Sequence, residues 1–307
     1  CTLEKYQGMA GVKQGRNLEI VPSLTIGRPE TRLSRDAQWQ SEGFDIEPGL
    51  DVSWAPTPNM TVNATLNPDF SQVESDQAQL DLNQSFALYF DEKRPFFMEG
   101  ADYFTTPLQV LYTRQIADPD GGLQVTGRSG AGAYGALVAR DAVTQLLLPG
   151  PLGSGFTVLE QPVDVAVGRY RHNVSEHATV GAIGTFRRGD GYSNDLAGVD
   201  GRWQNKHHTF STQLLASQSK YPAALGLVDE SPSGNAMRAA YGYNSRNWSF
   251  NSWHERIDPG FRADLGFIGM VGYRKSLIGG GHTWFRDDKR FNRFGLYADW
   301  DITHRAD

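Results

Sequence analysis

Acidic side chains crowd one stretch of this sequence. Asp69, Glu74 and Asp76 lie within eight residues, and Glu92, Lys93, Arg94 and Glu99 follow before position 100. From Asp69 to Asp102 there are eight acids (Asp69, Glu74, Asp76, Asp81, Asp91, Glu92, Glu99, Asp102) and two bases, an excess equal to the net charge of −6 of the whole chain. Inside a polar channel such groups pair into a charge network or line a constriction that selects solutes. Two carboxyls roughly 5–10 Å apart across a glycosidic bond can also hydrolyse it. The plainest role is pairing with arginines that fixes strand register, because buried charges need partners. The spacing singles out no catalytic pair, so the seven residues named first stand as ligand-binding or charge-network candidates, and no catalytic residue is assigned.

Other motifs argue against familiar chemistries. Asp118-Pro119-Asp120-Gly121-Gly122 lacks the long loop and terminal Glu of a calcium site and reads as a tight turn. His207 and His208 are adjacent, hence on opposite faces of a strand, and no His-Glu-x-x-His run occurs. Gly127 to Gly132 opens no helix and is no nucleotide loop. Gly279-Gly280-Gly281 reads as a kink or bulge, and no Gly-x-Ser-x-Gly elbow is present. Cys1 is the only cysteine, which removes internal disulfides and zinc–thiolate sites. It reads as the point where a fragment begins, or as a lipidated first residue. No metal and no cofactor are expected. A net charge of −6 makes nucleic acid a poor partner.

The elements that must position these residues are strands. Met60, Val62, Ala64 and Leu66 alternate with Thr61, Asn63, Thr65 and Asn67. Ala178, Val180, Ala182 and Phe186 oppose Thr179, Thr185 and Arg187, and Ala197, Val199 and Trp203 oppose Asp200, Arg202 and Gln204. Met237, Ala239, Tyr241 and Tyr243 oppose Arg238 and Asn244, and Phe294, Leu296, Ala298, Trp300 and Ile302 oppose Arg293, Tyr297 and Asp299. A two-residue period places each set on one face of a strand. Short polar turns (Arg171 to Glu176, Asn205-Lys206, Ser245 to Asn247, Asp287 to Arg290) alternate with longer loops (Gly189 to Asp195, Tyr221 to Gly234). That layout, a polar face rich in Arg, Asp, Asn and Gln, and aromatic residues near strand ends predict an all-β, antiparallel transmembrane barrel of outer-membrane type. The alternation predicts about 12–14 strands, by the usual spacing of such segments. Trp248, Trp253, Trp284, Trp300 and Tyr241 read as a headgroup-level girdle where they lie on the apolar face, or as sugar-stacking rings. Mean hydropathy is −0.46, and no run reaches the apolar length of a membrane helix.

Residues 1–307 read as one barrel domain, incomplete at both ends, since Phe291 to His304 is not followed by a closing aromatic. Residues 69–107 read as an acidic segment turning into the lumen or rim.

Two runs carry a resemblance: Asn67-Pro68-Asp69-Phe70-Ser71-Gln72-Val73-Glu74-Ser75-Asp76 and Tyr89-Phe90-Asp91-Glu92-Lys93-Arg94-Pro95-Phe96-Phe97-Met98-Glu99-Gly100. With Leu18 to Pro22, Tyr112 to Ile116 and Asp258 to Phe267, they resemble, in order, the signatures of a bacterial domain of unknown function that follows a family-9-like carbohydrate-binding domain. The resemblance implies a C-terminal outer-membrane barrel, an upstream sugar-binding module and further strands. It implies no activity. Three functions follow as expectations: a barrel of the Gram-negative outer membrane that passes or binds solutes such as glycans through a polar lumen; a surface glycan hydrolase with carboxylates in 69–102; or an anchor for a periplasmic carbohydrate-binding module. Outer-membrane lipid and glycans are the expected partners, with oligomeric state left open.

Overall fold

The computed structural model describes residues 17–28, 30–31, 40–41, 43–68, 89–286 and 292–305. Its strands are β1 (Leu18–Gly27), β2 (Glu30–Thr31), β3 (Gln40–Ser41), β4 (Asp45–Thr57), β5 (Met60–Leu66), β6 (Pro119–Ser129), β7 (Gly132–Asp141), β8 (Thr144–Pro149), β9 (Ser154–Leu159), β10 (Val163–Asn173), β11 (Ala178–Gly189), β12 (Tyr192–Gln204), β13 (His208–Lys220), β14 (Ser233–Asn244), β15 (Trp248–Ile257), β16 (Tyr273–Phe285) and β17 (Arg293–Arg305). Thirteen of them form one antiparallel sheet in the order β1-β4-β5-β6-β7-β10-β11-β12-β13-β14-β15-β16-β17. Strand pairs β2–β3 and β8–β9 form small sheets of their own. With thirteen antiparallel strands the two edges, β1 and β17, run in the same direction, and the sheet is not closed.

The connections divide the sheet into two rims. At one rim the turns are short: 58–59, 130–131, 174–177, 205–207 and 245–247. At the other, 67–118, 142–162, 221–232 and 258–272 are long. Gly189 to Asp195 departs from the expected loop. Gly189 pairs with Tyr192, leaving Asp190-Gly191 as a two-residue hairpin turn with Gly191 at φ +64°. Asp-Gly suits that turn because glycine takes positive φ without a Cβ clash. Gly279 to Gly281 is no bulge either: pairing with β15 and β17 runs through it in unbroken register. Bare hydrogens there leave room for neighbours, since a Cβ on Gly281 would lie 2.2 Å from the Tyr297 ring. Asp118 to Gly122 is no free turn, because β6 begins at Pro119 and a register shift lies between Pro119 and Gly121.

The alternation sets two unlike faces. One face is bare: Leu66, Leu123, Val138, Val180, Val199, Leu214, Ile278, Leu296 and Trp300 are all more than 40% exposed. The other is covered over β5 to β13 by 89–118, β8–β9 and 258–271, which bury Phe97, Val110, Ile116, Leu146, Phe261 and Leu265 against it. The sheet curls around these segments. Leu108 N–H donates to Gln213 of β13 (2.6 Å), while Glu99 accepts from Ser53 of β4 (3.2 Å).

On the covered face, Arg169 of β10 reaches over Gly181 of β11 to Asp200 of β12, with its Nη2 donating to Oδ1 at 2.9 Å. A Cβ at Gly181 would lie 2.6 Å from Arg169 Nη1. Gly181→Leu is therefore expected to block the crossing and cost about 1–3 kcal/mol, the penalty for a stranded buried charge-assisted bond. Urea unfolding followed by tryptophan fluorescence measures it. Arg169→Ala in that background should add little, because both changes remove one interaction; additive losses would disprove the crossing.

Candidate functional site

The described part of the acidic segment folds onto the covered face. Pro95–Met98 forms a single helical turn, α1, followed by a 3₁₀ turn at Ala101–Phe104. Proline opens α1, and Gly100, at φ +70°, turns the chain between the two. Phe104 seats over Gly135 of β7, where a Cβ would come within 2.9 Å of its ring.

Glu92 and Arg94 meet at this entry. Arg94, 3% exposed, donates Nε and Nη2 to the two Glu92 oxygens at 2.8 and 2.7 Å. Its remaining donors reach the Ile116 carbonyl (2.7 Å) and the Thr113 carbonyl (2.9 Å). Thr113 Oγ1 donates to Glu92 at 2.6 Å. Burial pushes the Glu92 carboxyl up, but Arg94 and Thr113 outweigh it and hold its pKa at about 2. The fork geometry of a bidentate arginine explains the strength. Lys93 is exposed, and Glu99 belongs to a separate contact with Ser53 and with Gln124, whose side-chain amide donates to the Glu99 carbonyl. Asp69, Glu74 and Asp76 lie outside the described residues.

Sequence reasoning missed a second, deeper network. Arg187 of β11 and Asp141 of β7 form an ion pair at 3.1 Å with both side chains 0% exposed. Arg187 also donates to the carbonyls of Gln145 (2.7 Å) and Gln115 (3.0 Å). Asp141 accepts from the N–H groups of Asp118 (2.7 Å) and Ala117 (3.2 Å). Beside it, Asp264 accepts from Tyr192 (2.7 Å) and Tyr221 (2.9 Å). Burial raises the Asp264 carboxyl, against the two hydroxyls that lower it. The available signals were Arg187 on a polar strand face and Asp264 inside the run 258–267. Neither type of signal reveals a partner distant in sequence.

A cavity of about 600 Å³ opens beside the α1 segment. Tyr89, Tyr112, Phe104, Thr105, Gln109 and Glu92 are among its walls. The Tyr89 and Tyr112 rings stack at 5.0 Å. Trp253 faces the covered side, so the girdle reading, reserved for aromatics on the apolar face, does not extend to it; Arg238 lies over its ring at 4.9 Å. Among the described residues, no group of three His, Cys, Asp or Glu could hold a metal ion.

The fold is thus an all-β antiparallel sheet with a packed interior. Residues 29–128 match the family model described as Domain of unknown function (DUF5916). The runs at 67–76, 89–100 and 112–116 fall inside that interval, whereas 18–22 and 258–267 fall outside it. No curated protein sequence matches significantly. Among solved structures, the chain is similar to OccK8 (OprE) of Pseudomonas aeruginosa, with 12% identity, TM-score 0.41, and coverage of 96% of this chain and 86% of that one. It is also similar to OmpT, an outer membrane protein of Vibrio cholerae, with 9% identity, TM-score 0.34, and coverage of 95% and 100%. A third is OccAB4 of Acinetobacter baumannii, with 9% identity, TM-score 0.32, and coverage of 93% and 97%.

The Glu92 pKa gives a signed pH prediction. Lying below the unfolded value of 4.5, it adds stability that is fully present above pH 4.5 and lost as pH falls toward 2. Glu92→Gln should abolish the loss of hydrogen-exchange protection that the wild-type 89–118 segment shows across that window. An unchanged acid profile in the variant would move the effect to another carboxylate.

Proposed function

We propose that this chain forms the wall and internal gate of an outer-membrane β-barrel that binds and passes polar solutes. The observation that carries this reading is the bare face. In water a continuous apolar face of this extent is untenable without a partner, and among the described residues no second sheet covers it. Hydrocarbon is the medium it suits, with the interior strands hydrogen-bonded to a neighbour on each side. Most strands of the large sheet are 10–13 residues long, as in β1 and β12, enough for the roughly 9–11 that a tilted membrane strand needs. Trp54, Tyr134, Tyr170, Trp203, Phe210, Tyr243, Trp248 and Trp284 gather on the bare face toward the short-turn rim. An aromatic girdle occupies that level in outer-membrane barrels, with short turns on the periplasmic side.

The interior segments obstruct the lumen, so passage requires them to move. The 600 Å³ cavity offers stacked tyrosines with amide, hydroxyl and carboxylate groups, surfaces that suit a polyhydroxyl solute. Short glycan fragments are the first class to test, in keeping with the carbohydrate-binding neighbour that the resemblance implies. Glu92 serves structure here: with both oxygens engaged and a pKa near 2, it is poorly placed as a general acid.

Leu214→Arg, in the middle of the bare face, is expected to cost about 2–4 kcal/mol in folding into bilayers, as for arginine at a bilayer midplane. Lys220→Arg at the rim should cost nothing measurable. Equal effects would defeat the membrane reading. In planar bilayers, the full-length protein should show little steady conductance, and Arg187→Ala should raise the frequency of openings. A large, constant wild-type conductance would defeat the gate.

A further inference from the structure

Among the described residues, the bare face carries lysine, arginine and acidic side chains only near its long-loop rim, and there most arginines have an acid close by. Arg140 of β7 lies directly opposite Asp164 of β10 in register and bonds it at 2.8 Å. Arg188 of β11 bonds Asp195 of β12 at 2.9 Å. On β15, β16 and β17 this pattern breaks. Arg256 pairs in register with Arg274, and Arg274 with His304. Three basic side chains therefore stand side by side on adjacent strands, all exposed. Directly opposed like charges destabilise a sheet. Among the described residues, the acid that pairs with this row is Asp258, which bonds Arg256 at 3.0 Å and also accepts from the Asn235 N–H at 3.1 Å. Arg274 forms no ion pair among the described residues.

These residues border a hollow of about 450 Å³ together with Pro259, Gly272 and Arg305, so the bases surround a space rather than a flat surface. Two guanidiniums and an imidazole beside one hollow are complementary to an anion with several acceptor oxygens, and arginine binds phosphate oxygens bidentately. The level decides its source. Arg256 is the penultimate residue of β15, Arg274 the second of β16 and His304 the penultimate of β17, at the long-loop ends of their strands and beyond Phe250, Ile278 and Ile302 of the bare face. A group there sits at headgroup depth, on the side of the long, extracellular loops.

We propose that Arg256, Arg274 and His304 form a binding site for the phosphate of an outer-leaflet glycolipid. The site rests on the membrane reading above and adds a specific lipid partner to it. The phosphate neutralises a row that the sheet otherwise leaves in mutual repulsion, and Asp258 holds Arg256 in position.

The test uses the full-length protein folded in detergent. Folding is first confirmed by faster migration of the unheated protein in denaturing gels, then by insertion into bilayers. Retention of a diphosphorylated lipid A, its dephosphorylated form and inorganic phosphate is then compared by native mass spectrometry. The phosphorylated lipid should be retained preferentially, and Arg274→Gln should weaken it roughly tenfold, the scale of one charge-assisted bond. Arg140→Gln, at a rim arginine already paired with an acid, should leave retention unchanged. Failure to insert defeats the membrane reading itself. Insertion with equal retention of both lipids, or equal loss in the two variants, overturns the site alone. Binding of inorganic phosphate as tight as that of the lipid overturns the lipid assignment.

Discussion

Arg187 is the point at which the interior is tied to the wall. Its guanidinium sits at 0% exposure, where an uncompensated charge would cost several kcal/mol. It is tolerated because four elements converge on it: Asp141 from β7, the Gln145 carbonyl from β8, the Gln115 carbonyl from the segment after β5, and its own strand β11. Asp141 in turn receives two backbone N–H groups. Removing any one of these leaves a buried charge short of a partner. The packing of 89–118 and β8–β9 is therefore specified by electrostatics as much as by the apolar cores around them.

The same logic explains the polar character of the covered face. An irregular chain packed on a sheet face carries N–H and C=O groups that no sheet ladder satisfies. Wall side chains supply what is missing. Gln213 accepts from Leu108 N–H, Ser217 from Arg262 N–H, and Asn194 from Asp264 N–H while donating to the Arg262 carbonyl. These residues serve the interior segments rather than a continuous water column. Farther along β14 to β16, Arg238, Glu255 and Lys275 pair across strands on the same face, beyond the main cover of the interior segments.

How much of this could be read from sequence follows from the range of each interaction. Period-two alternation is local, so the face assignments of Val180 against Arg187, or Val199 against Asp200, needed only neighbouring residues. Short polar turns were legible for the same reason. Asp190-Gly191 reads as part of a longer loop because its flanking Gly189 and Tyr192 look like loop residues, yet they pair with each other. The triple glycine suggested a bulge. Its actual cause, the ring of Tyr297 on the next strand, lies sixteen residues from Gly281 and is invisible to a local pattern. For Trp253 the strand parity, which opposes it to Phe250 and Trp248, already separates it from the girdle on the apolar face. Asp141, Tyr192 and Tyr221 carry no local mark, and the run 258–267 that holds Asp264 does not name its partners, which lie 43 to 72 residues away in several of these bonds.

The acidic segment shows how a compositional signal and a structural role can diverge. Eight acids in 69–102 suggest a site that gathers cations or solutes by charge. For Glu92 the structure shows the reverse economy: its charge is fully spent on Arg94 and Thr113, fixing the entry of the segment into the interior. A carboxylate so engaged contributes little to the field felt by a passing solute. On the proposed reading, what the segment would offer a solute is shape and ring faces, through Tyr89 and Tyr112, and the Tyr112 ring is pinned, since its hydroxyl accepts from the Phe90 N–H at 3.0 Å and donates to the Phe90 carbonyl at 2.8 Å. Recognition at this cavity would then depend on the positions of rigid rings, and charge would act one step removed, by holding those rings in place.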